Sequence, residues 1–235
     1  MRKSAGSLGL VMVALSLMAS SAFAAAIIGD DDKDVITGTP EADGINSMGG
    51  NDTITALGGP DVIVSGTGDD RVFAGGGNDG VHGNQGNDTV AGGSGHDALL
   101  GDNDNDDLAG GTQGDRVYGQ AGNDTVRGNS GDDQLRGNRG DDVLHGGGDT
   151  DVINGDAGAD VDFGGPGNDK VIADTPADLL FPRADRVQAS RGNDVILVRD
   201  GESDLVLCGP GRDLVYADMR DRVRQNCEKA IRRHP

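Results

Sequence analysis

An aspartate recurs at every ninth residue over most of this chain, and the frame is never interrupted. It begins at Asp34, ends at Asp178 and contains seventeen aspartates. An aliphatic residue stands two positions after nearly every one of them, as Ile63 follows Asp61. Self-similarity at a short fixed period is typical of repeat architectures, in which each unit packs mainly against its neighbours. The frame therefore predicts a stack of small repeats and argues against a conventional globular core.

Glycines mark two more positions of the nine-residue unit. One lies two residues before the aspartate and another lies five before it, as Gly95 and Gly92 do for Asp97. Glycine permits the positive φ angles and the close backbone approach of a tight turn. A lone aliphatic residue between polar or small neighbours is the shortest alternating strand. We predict six turn residues and three strand residues per unit, and two units, or eighteen residues, per coil.

The predicted fold class is all-β. It is a right-handed parallel β-roll, or β-solenoid, whose core is a ladder of stacked aliphatic residues. Stacked coils place each aspartate beside the one eighteen positions later, so carboxylates accumulate along two edges. One edge runs from Asp34 to Asp160 and the other from Asp43 to Asp169.

These carboxylate columns create an electrostatic problem that a cation would solve. The chain has a net charge of −20, and unneutralised columns oppose the compact state. Carboxylates and turn carbonyls are hard oxygen ligands, of which Ca²⁺ takes six to eight. We therefore predict several Ca²⁺ ions between the stacked turns. Without calcium we expect disorder, because high charge with only 3% aromatic residues is typical of unstructured chains.

The unit Gly-Gly-x-Gly-x-Asp-x-aliphatic-x resembles the RTX, or haemolysin-type, calcium-binding nonapeptide repeat. It occurs in full at residues 92–97 and 164–169, and partial copies cover residues 34–178. The resemblance implies a calcium-loaded β-roll. RTX toxins, proteases and lipases add a separate effector domain, for which we find no room before these repeats. Residues 38–43 and 208–228 are also similar to the start and end of small secreted members of actinobacterial type.

The predicted metal ligands are the aspartates of the frame together with glycines of the turns. The aspartates are Asp43, Asp52, Asp61, Asp70, Asp79, Asp88, Asp97, Asp106, Asp115, Asp124, Asp133, Asp142, Asp151, Asp160 and Asp169. The glycines are Gly75, Gly77, Gly83, Gly86, Gly92, Gly95, Gly119, Gly122, Gly128, Gly131, Gly137, Gly140, Gly164 and Gly167. Loops that keep both turn glycines predict the strongest sites, and these surround Asp88, Asp97, Asp124, Asp133 and Asp142.

Some units depart from the pattern. Three residues replace the glycine that precedes the aspartate, and we expect weaker sites beside them: Asp104, Gln113 and Asp149. The turn before Asp178 carries no glycine, which predicts a weak or absent site there. Asp162 interrupts the aliphatic row, and we expect Val161 and Phe163 to fill its place through a local bulge.

Both ends of the chain carry features outside the repeats. Residues 1–24 have a basic start, a short apolar run and a small-x-small cleavage signal, which predicts a secretory signal peptide. Its removal takes away Arg2 and Lys3 and changes the net charge from −20 to −22. The apolar run is too short to span a membrane. We predict a secreted, extracellular chain with a lead-in over 25–33 and a calcium-binding roll over 34–184.

Residues 185–235 are predicted to form degenerate coils and a C-terminal cap. The aspartates there leave the nine-residue frame but keep an aliphatic residue two positions on; they are Asp185, Asp194, Asp204, Asp213 and Asp221. The only cysteines are Cys208 and Cys227. In an exported chain such a pair predicts a disulfide, because its spacing suits neither a redox motif nor a zinc site. The bridge would close the cap.

Three functional hypotheses remain open on the sequence. The leading one is a secreted calcium-binding protein with a structural, surface or calcium-buffering role, expected to be a monomer and not an enzyme. The second is a module that binds a glycan, ice or a cell surface on a flat solenoid face. The third is a polysaccharide-acting solenoid enzyme, although the chain lacks the longer coils that would form a groove. No G-x-S-x-G, H-E-x-x-H or P-loop occurs, and the acidic charge argues against nucleic acid as a partner.

Overall fold

The structure is a computed structural model that describes residues 25–173, 184–201, 203–224, 227 and 229–232. The predicted signal peptide, residues 1–24, and Asp178 lie outside the described residues. The described part of the chain consists of strands joined by short turns, and none of it is helical. It accordingly includes no helix of the length and apolarity needed to cross a membrane.

Twenty-three short strands follow one another along the described part of the chain. They are β1 (Ala25–Ile28), β2 (Val35–Thr37), β3 (Asp43–Asn46), β4 (Thr53–Thr55), β5 (Val62–Thr67), β6 (Arg71–Gly76), β7 (Gly80–Gln85), β8 (Thr89–Ser94), β9 (Ala98–Asn103), β10 (Asp107–Thr112), β11 (Arg116–Ala121), β12 (Thr125–Ser130), β13 (Gln134–Arg139), β14 (Val143–Gly148), β15 (Val152–Ala157), β16 (Val161–Pro166), β17 (Lys170–Ile172), β18 (Arg186–Arg191), β19 (Val195–Val198), β20 (Leu205–Leu207), β21 (Leu214–Ala217), β22 (Arg222–Val223) and β23 (Lys229–Arg232).

The strands alternate between two parallel sheets. The odd-numbered strands form a 12-stranded sheet, here called the odd sheet, and the even-numbered strands form an 11-stranded even sheet. Within each sheet the strands lie in chain order. The chain therefore winds as a parallel β-solenoid of about 11 turns, with one strand from each sheet in every turn. This architecture confirms the predicted fold class.

The register between neighbouring coils is eighteen residues in the regular part of the solenoid. On the odd sheet Ile63 pairs with Val81, and Val81 pairs with Leu99. Each nine-residue unit is thus half a coil, as predicted. The strands are longer than predicted, because the central ones have six residues, as β5 has. Parallel pairing continues past the aliphatic residue through the glycine-rich positions, so the turns between strands are shorter than the six residues expected.

The core is a double ladder of aliphatic side chains, one column from each sheet. Every described residue two positions after a column aspartate is buried, apart from the half-buried Val223 at the end of the solenoid. Residues four positions after the aspartate also point inward and are small, as Gly83, Ala74 and Ser65 are. A large residue and a small residue per strand fill a thin interior, which explains how 3% aromatic residues suffice.

The predicted bulge at Asp162 is wrong. Strand β16 keeps an unbroken register, in which Asp162 pairs with Leu144 on one side and with Val187 on the other. Asp162 is fully buried in the aliphatic row. Because both neighbouring strands fix this register, an inserted residue would turn the inward side chains of β16 outward. Phe163 lies on the outer face, where its ring stacks on His145 with centroids 4.5 Å apart.

One coil is longer than the others. The backbone N–H of Asp160 donates to Oδ1 of Asp185, a step of 25 residues in place of the usual 18. Residues 174–183, which the structure does not describe, lie within this step. The register then continues from Asp185 to Asp204 and from Asp194 to Asp213 in steps of 19 residues. The degenerate coils predicted after Asp178 are therefore present, and their valines lie in the core.

A disulfide closes the last coil. Cys208 follows β20 and is buried in the core, and its sulfur is bonded to that of Cys227, with Cα atoms 5.2 Å apart. The bridge spans 19 residues, which is about one coil. It joins the end of β20 to the segment that leads into β23. This bond confirms the predicted pairing.

Candidate metal centres

Two columns of aspartates run along the edges of the solenoid. Their carboxylates lie beside the turns, and the column members from Asp34 to Asp169 are only 0–3% exposed. Aspartates are seldom this buried unless they are paired or bind a metal. The columns place every one of the fifteen predicted aspartate ligands in an equivalent position. They are therefore internal features of the fold and not solubilising surface charges.

From Asp52 onward, Oδ1 of the column aspartates accepts a hydrogen bond from the coil before it. The backbone N–H of Asp124 donates to Oδ1 of Asp142 at 2.8 Å, and that of Asp142 donates to Oδ1 of Asp160 at 2.9 Å. The same bond repeats from Asp34 to the C-terminal coils with lengths of 2.7–3.3 Å. It explains part of the strict frame, because a longer acidic side chain would not keep the carboxylate beside this N–H.

Oδ2 of most column aspartates is buried and has no hydrogen-bond partner. This holds for Asp52, Asp61, Asp70, Asp79, Asp88, Asp97, Asp106, Asp115, Asp124, Asp133, Asp142, Asp151, Asp169 and Asp194. A buried carboxylate oxygen without a partner is destabilising by roughly 1–3 kcal/mol or more. A fold with one such oxygen in nearly every half-coil needs a common partner for them.

In the units from Asp88 to Asp169 a glycine five residues before the aspartate makes room for this oxygen, whereas Ala56, Ser65 and Ala74 hold the same position in earlier coils. An ideal Cβ on Gly83 would lie 2.4 Å from Oδ2 of Asp88 and 2.7 Å from the carbonyl oxygen of Gly101, one coil later. The same two kinds of oxygen converge beside Gly92, Gly128, Gly137 and Gly164. The space that a side chain would fill is therefore lined by a carboxylate and a carbonyl, both of them acceptors.

The glycine two residues before the aspartate allows the backbone conformation of the turn. Gly95 has a φ of +133°, and an ideal Cβ on it would lie 1.6 Å from the carbonyl oxygen of Gly77. Gly77, Gly86, Gly122, Gly131 and Gly140 share this geometry. The three residues that replace it, Asp104, Gln113 and Asp149, adopt the same left-handed conformation, with φ of 74°, 76° and 77°. The backbone of the turn is therefore the same in these three units, for which the sequence predicted weaker sites.

The remaining predicted glycines lie in the same turns. Gly75 has a φ of +110° and approaches the carbonyl of Leu57, and Gly119 faces Oδ2 of Asp124. An ideal Cβ on Gly167 would lie 1.6 Å from the carbonyl oxygen of Asp149. The structure therefore brings all the predicted glycines to the two carboxylate edges.

Burial raises the pKa of most column carboxylates between Asp52 and Asp169. It raises that of Asp106 and of Asp142 to about 8, with further contributions from the charges of neighbouring column members. Burial likewise raises the pKa of Asp88 to about 7. The hydrogen bond from the preceding coil opposes this rise in each case. A cation beside the carboxylates would favour their ionised form and relieve the repulsion between them.

The donor set suits calcium. The donors that converge beside the turn glycines are carboxylate and carbonyl oxygens, and Ca²⁺ binds such hard ligands in flexible geometries of six to eight oxygens. Zinc and copper sites use histidine or cysteine ligands. The unpaired Oδ2 atoms and the turn carbonyls beside them therefore fit calcium ions held between turns.

Sequence reasoning left one acidic group out of the predicted ligands. Carboxylate oxygens of Asp185, Asp200 and Asp204 lie within 4.8 Å of one another, so these residues could hold a metal ion. Asp185 and Asp204 continue one column, while Asp200 lies in the turn between β19 and β20. Asp185 and Asp204 could have been predicted as ligands, because an aliphatic residue follows each of them by two positions, as in the regular units. Asp200 has no such signal.

Comparison with known protein families gives one match. A family model of the RTX calcium-binding nonapeptide repeat, built of four copies, matches residues 28–63, 46–81, 64–99, 82–117, 100–135, 127–162 and 182–202. The first five matches advance in steps of eighteen residues, which is the register between coils. The unmatched stretch between 162 and 182 falls in the 25-residue coil. A search among curated proteins found no match.

Proposed function

Because the chain belongs to the family of RTX calcium-binding nonapeptide-repeat proteins, we propose that it is a secreted structural protein whose solenoid forms when calcium binds. The calcium ions supply the cross-links between coils that its thin core does not. The role is mechanical and non-catalytic: a calcium-stabilised rod on or outside the cell. Secretion rests on the predicted signal peptide over residues 1–24.

The observation that carries this proposal is the repeated buried Oδ2. From Asp52 to Asp151 the two columns hold an unbroken series of carboxylate oxygens without a hydrogen-bond partner. Neither of the two described ion pairs, His82 with Asp102 and Arg127 with Asp107, involves a member of this series. Without a metal, the fold buries a set of repelling charges. With calcium, the same atoms become ligands.

We assign the calcium ligands to the fifteen predicted aspartates and to carbonyls of the turn glycines. Oδ2 of Asp97 and the carbonyl oxygen of Gly110 both face the space beside Gly92, which illustrates the pairing of donors from successive coils. Bound calcium would neutralise the carboxylates and tie each turn to the next one. Loops that keep both glycines form the strongest sites in this proposal, and the 25-residue coil interrupts the series.

Calcium outside cells is abundant, and extracellular calcium modules bind with dissociation constants of about 10⁻⁴ to 10⁻³ M. A chain with weak sites of this kind would stay unfolded before export and would fold on arrival outside. Such coupling between metal binding and folding follows whenever the unfolded chain has no preformed site.

A calcium titration of the purified chain tests the proposal. Far-ultraviolet circular dichroism should show a largely unfolded chain in chelator and a β-rich chain in millimolar Ca²⁺, with several ions bound per chain by atomic emission. Equimolar Mg²⁺ is the control, because it demands a tighter octahedral geometry. A β-rich spectrum that is already complete in chelator, or an equal response to Mg²⁺, would refute calcium-driven folding.

A further inference from the structure

The two sheet faces of the solenoid differ in charge from its edges. The outward positions of a sheet are here the residues immediately before and after each buried aliphatic residue. On the odd sheet these positions, from Gly44 on β3 to Tyr216 on β21, carry no aspartate and no glutamate. The chain has 40 acidic residues, so a face without any of them differs from the rest of the molecule. The acidic residues are concentrated in the turns instead.

Three cations lie on this acid-free face. Arg116 on β11, Arg136 on β13 and Lys170 on β17 are exposed, and none of them forms an ion pair among the described residues. Arg116 and Lys170 belong to one row, in which Gln134 and Val152 are the intervening Cα partners. Because adjacent strands are about 4.8 Å apart, the two cations are separated by about 14 Å along the solenoid axis. Arg136 belongs to the adjacent row, and its strand β13 lies between the strands of Arg116 and Lys170.

A groove of about 140 Å³ opens between these cations. Tyr118 and Ile172 lie at its two ends in one row, and Arg136 and Asn154 lie between them. Gln134 and Val152 line its other side. The amide of Asn154 is held by hydrogen bonds of 2.9 and 3.3 Å with Asp156, so it forms a fixed floor. Arg136 and Gln134 are exposed and keep their polar ends available.

This set of side chains combines three kinds of contact. The ring of Tyr118 and the aliphatic Val152 and Ile172 offer apolar surface on a flat face. The carboxamide of Gln134 can donate and accept hydrogen bonds. The guanidinium of Arg136 presents a planar fork that matches a carboxylate with two parallel hydrogen bonds. A ligand that satisfies all three has an apolar C–H face, several hydroxyl groups and a carboxylate.

We propose that the odd-sheet groove around Tyr118 and Arg136 binds an acidic oligosaccharide that carries uronate carboxylates. One sugar ring lies against Tyr118 and the aliphatic floor, and its carboxylate pairs with Arg136. Carboxylates of rings further along the chain reach Arg116 and Lys170. The groove is smaller than the 300 Å³ or so typical of enclosed ligand sites, which suits a polymer that lies along a shallow surface.

The charge distribution favours this ligand over a nucleic acid. Phosphate backbones need several cations in a row to displace their counterions, whereas Arg136 is the one cation among the residues that line this groove. A polynucleotide that extended past the face would also meet the acidic turns. Asp156 lies close enough to Arg136 for the guanidinium to oppose the rise in pKa that burial imposes on Asp156. The site is thus moderately and locally cationic, as a sparsely charged sugar polymer requires.

The even sheet provides a comparison. Its outward positions also avoid acidic residues, apart from Asp107, which pairs with Arg127. A smaller groove of about 40 Å³ lies there beside Phe163, Arg186 and Gln188. Arg71 is exposed on β6 of this sheet and borders neither groove. It therefore serves as a matched control for the removal of one surface cation.

Isothermal titration calorimetry of the full chain in saturating calcium tests the proposal, with circular dichroism to verify that each variant is folded. The probe is a hyaluronan hexasaccharide, whose rings alternate between glucuronate and N-acetylglucosamine, and the neutral control is cellohexaose. We expect binding of the acidic probe at physiological salt and at least tenfold weaker binding of cellohexaose. Arg136→Gln should weaken binding by about tenfold, because it removes a charge-assisted pair. Arg71→Gln should leave it unchanged.

Tyr118 gives a second, independent readout. Tyr118→Phe should retain binding because the ring remains, whereas Tyr118→Ala should lose it. The proposal is overturned by a folded, calcium-loaded chain that ignores the acidic probe, or by cellohexaose binding as tightly. An equal loss with Arg71→Gln, or a loss with Arg186→Gln in place of Arg136→Gln, would also overturn it. A single-stranded oligonucleotide that competes at equal charge would assign the face to nucleic acid instead.

Discussion

Oδ2 of Asp142 lies where a side chain on Gly137 would begin, since an ideal Cβ on Gly137 would stand 2.2 Å from it. Gly137 lies in β13, and Asp142 lies five positions later, directly before β14. Gly137 does not have a left-handed φ, so a side chain here is limited by space and not by backbone conformation. The carbonyl oxygen of Gly155, one coil later, faces the same point at 2.7 Å. The size of the residue at position 137 therefore affects both the Asp142 carboxylate and the backbone of the next coil.

Gly137→Ala should therefore damage one calcium site. The added methyl group must displace the Asp142 carboxylate or the backbone of the next coil, and such overpacking destabilises by about 1–3 kcal/mol. We expect fewer bound ions and a higher calcium midpoint in circular dichroism. Gly80→Ala is the matched control, because a Cβ at Gly80 would meet no atom within 4 Å. Equal effects of the two substitutions would contradict the spatial role of Gly137.

Asp142→Asn should increase the β structure of the calcium-free chain and lower its affinity for calcium. The asparagine keeps an oxygen for the N–H of Asp124, which donates to Oδ1 at 2.8 Å, but it carries no charge. In chelator it removes a buried repelling carboxylate, so residual structure should increase. In calcium it removes a charged ligand, and the affinity should fall by about tenfold. Asp132→Asn, at an exposed turn position, should change neither. Calorimetric calcium titrations of both variants check this.

The calcium-free chain should become ordered at acidic pH. Burial raises the pKa of Asp106 and Asp142 to about 8, that of Asp115 to about 7 and that of Asp124 to about 6. The folded state therefore binds more protons than the unfolded state, whose aspartates titrate near 3.8. The resulting stabilisation is complete below that value and is lost as the pH rises through 6 to 8. Circular dichroism in calcium-free buffer from pH 4 to 8 measures it, and β structure that increases with pH would contradict the sign.

Asp162→Val should stabilise the calcium-loaded solenoid. Both carboxylate oxygens of Asp162 are buried without a hydrogen-bond partner, and its strand neighbours are Leu144 and Val187. A valine would continue the aliphatic row and remove an unsatisfied acid, worth about 2 kcal/mol or more in unfolding free energy. Thermal unfolding in calcium should show a higher midpoint. A lower midpoint would indicate that the carboxylate is needed there.

Replacement of Cys208 and Cys227 by serine should affect only the end of the solenoid. The bridge closes a span of 19 residues, and cross-links of that length contribute about 3 kcal/mol. Coils interact mainly with their neighbours, so calcium binding in the central coils should stay intact. Hydrogen exchange should quicken after β18, and chromatography in calcium should reveal end-to-end association through the uncovered edge. Unchanged exchange and a monomeric double variant would count against a capping role.

Much of this architecture follows from the sequence. The nine-residue frame predicted two strands per coil, and the aliphatic residue after each aspartate predicted the core, because side chains alternate along a strand whatever surrounds it. The columns of carboxylates could also be predicted, because a coil of eighteen residues places equivalent aspartates of successive coils beside one another. The disulfide followed from Cys208 and Cys227 being the only cysteines of a chain predicted to be exported.

What only the tertiary structure decided depends on contacts between coils. The sequence predicted that Asp142 lies at an edge, but the hydrogen bond from Asp124 to its Oδ1 and the space beside Gly137 exist only once coils are stacked. The register of Asp162 was mispredicted because strands β14 and β18 enforce it from outside its own segment. The groove at Tyr118 joins residues from four strands. Local pattern determines which way a side chain points, whereas its partners are set by residues eighteen or more positions away.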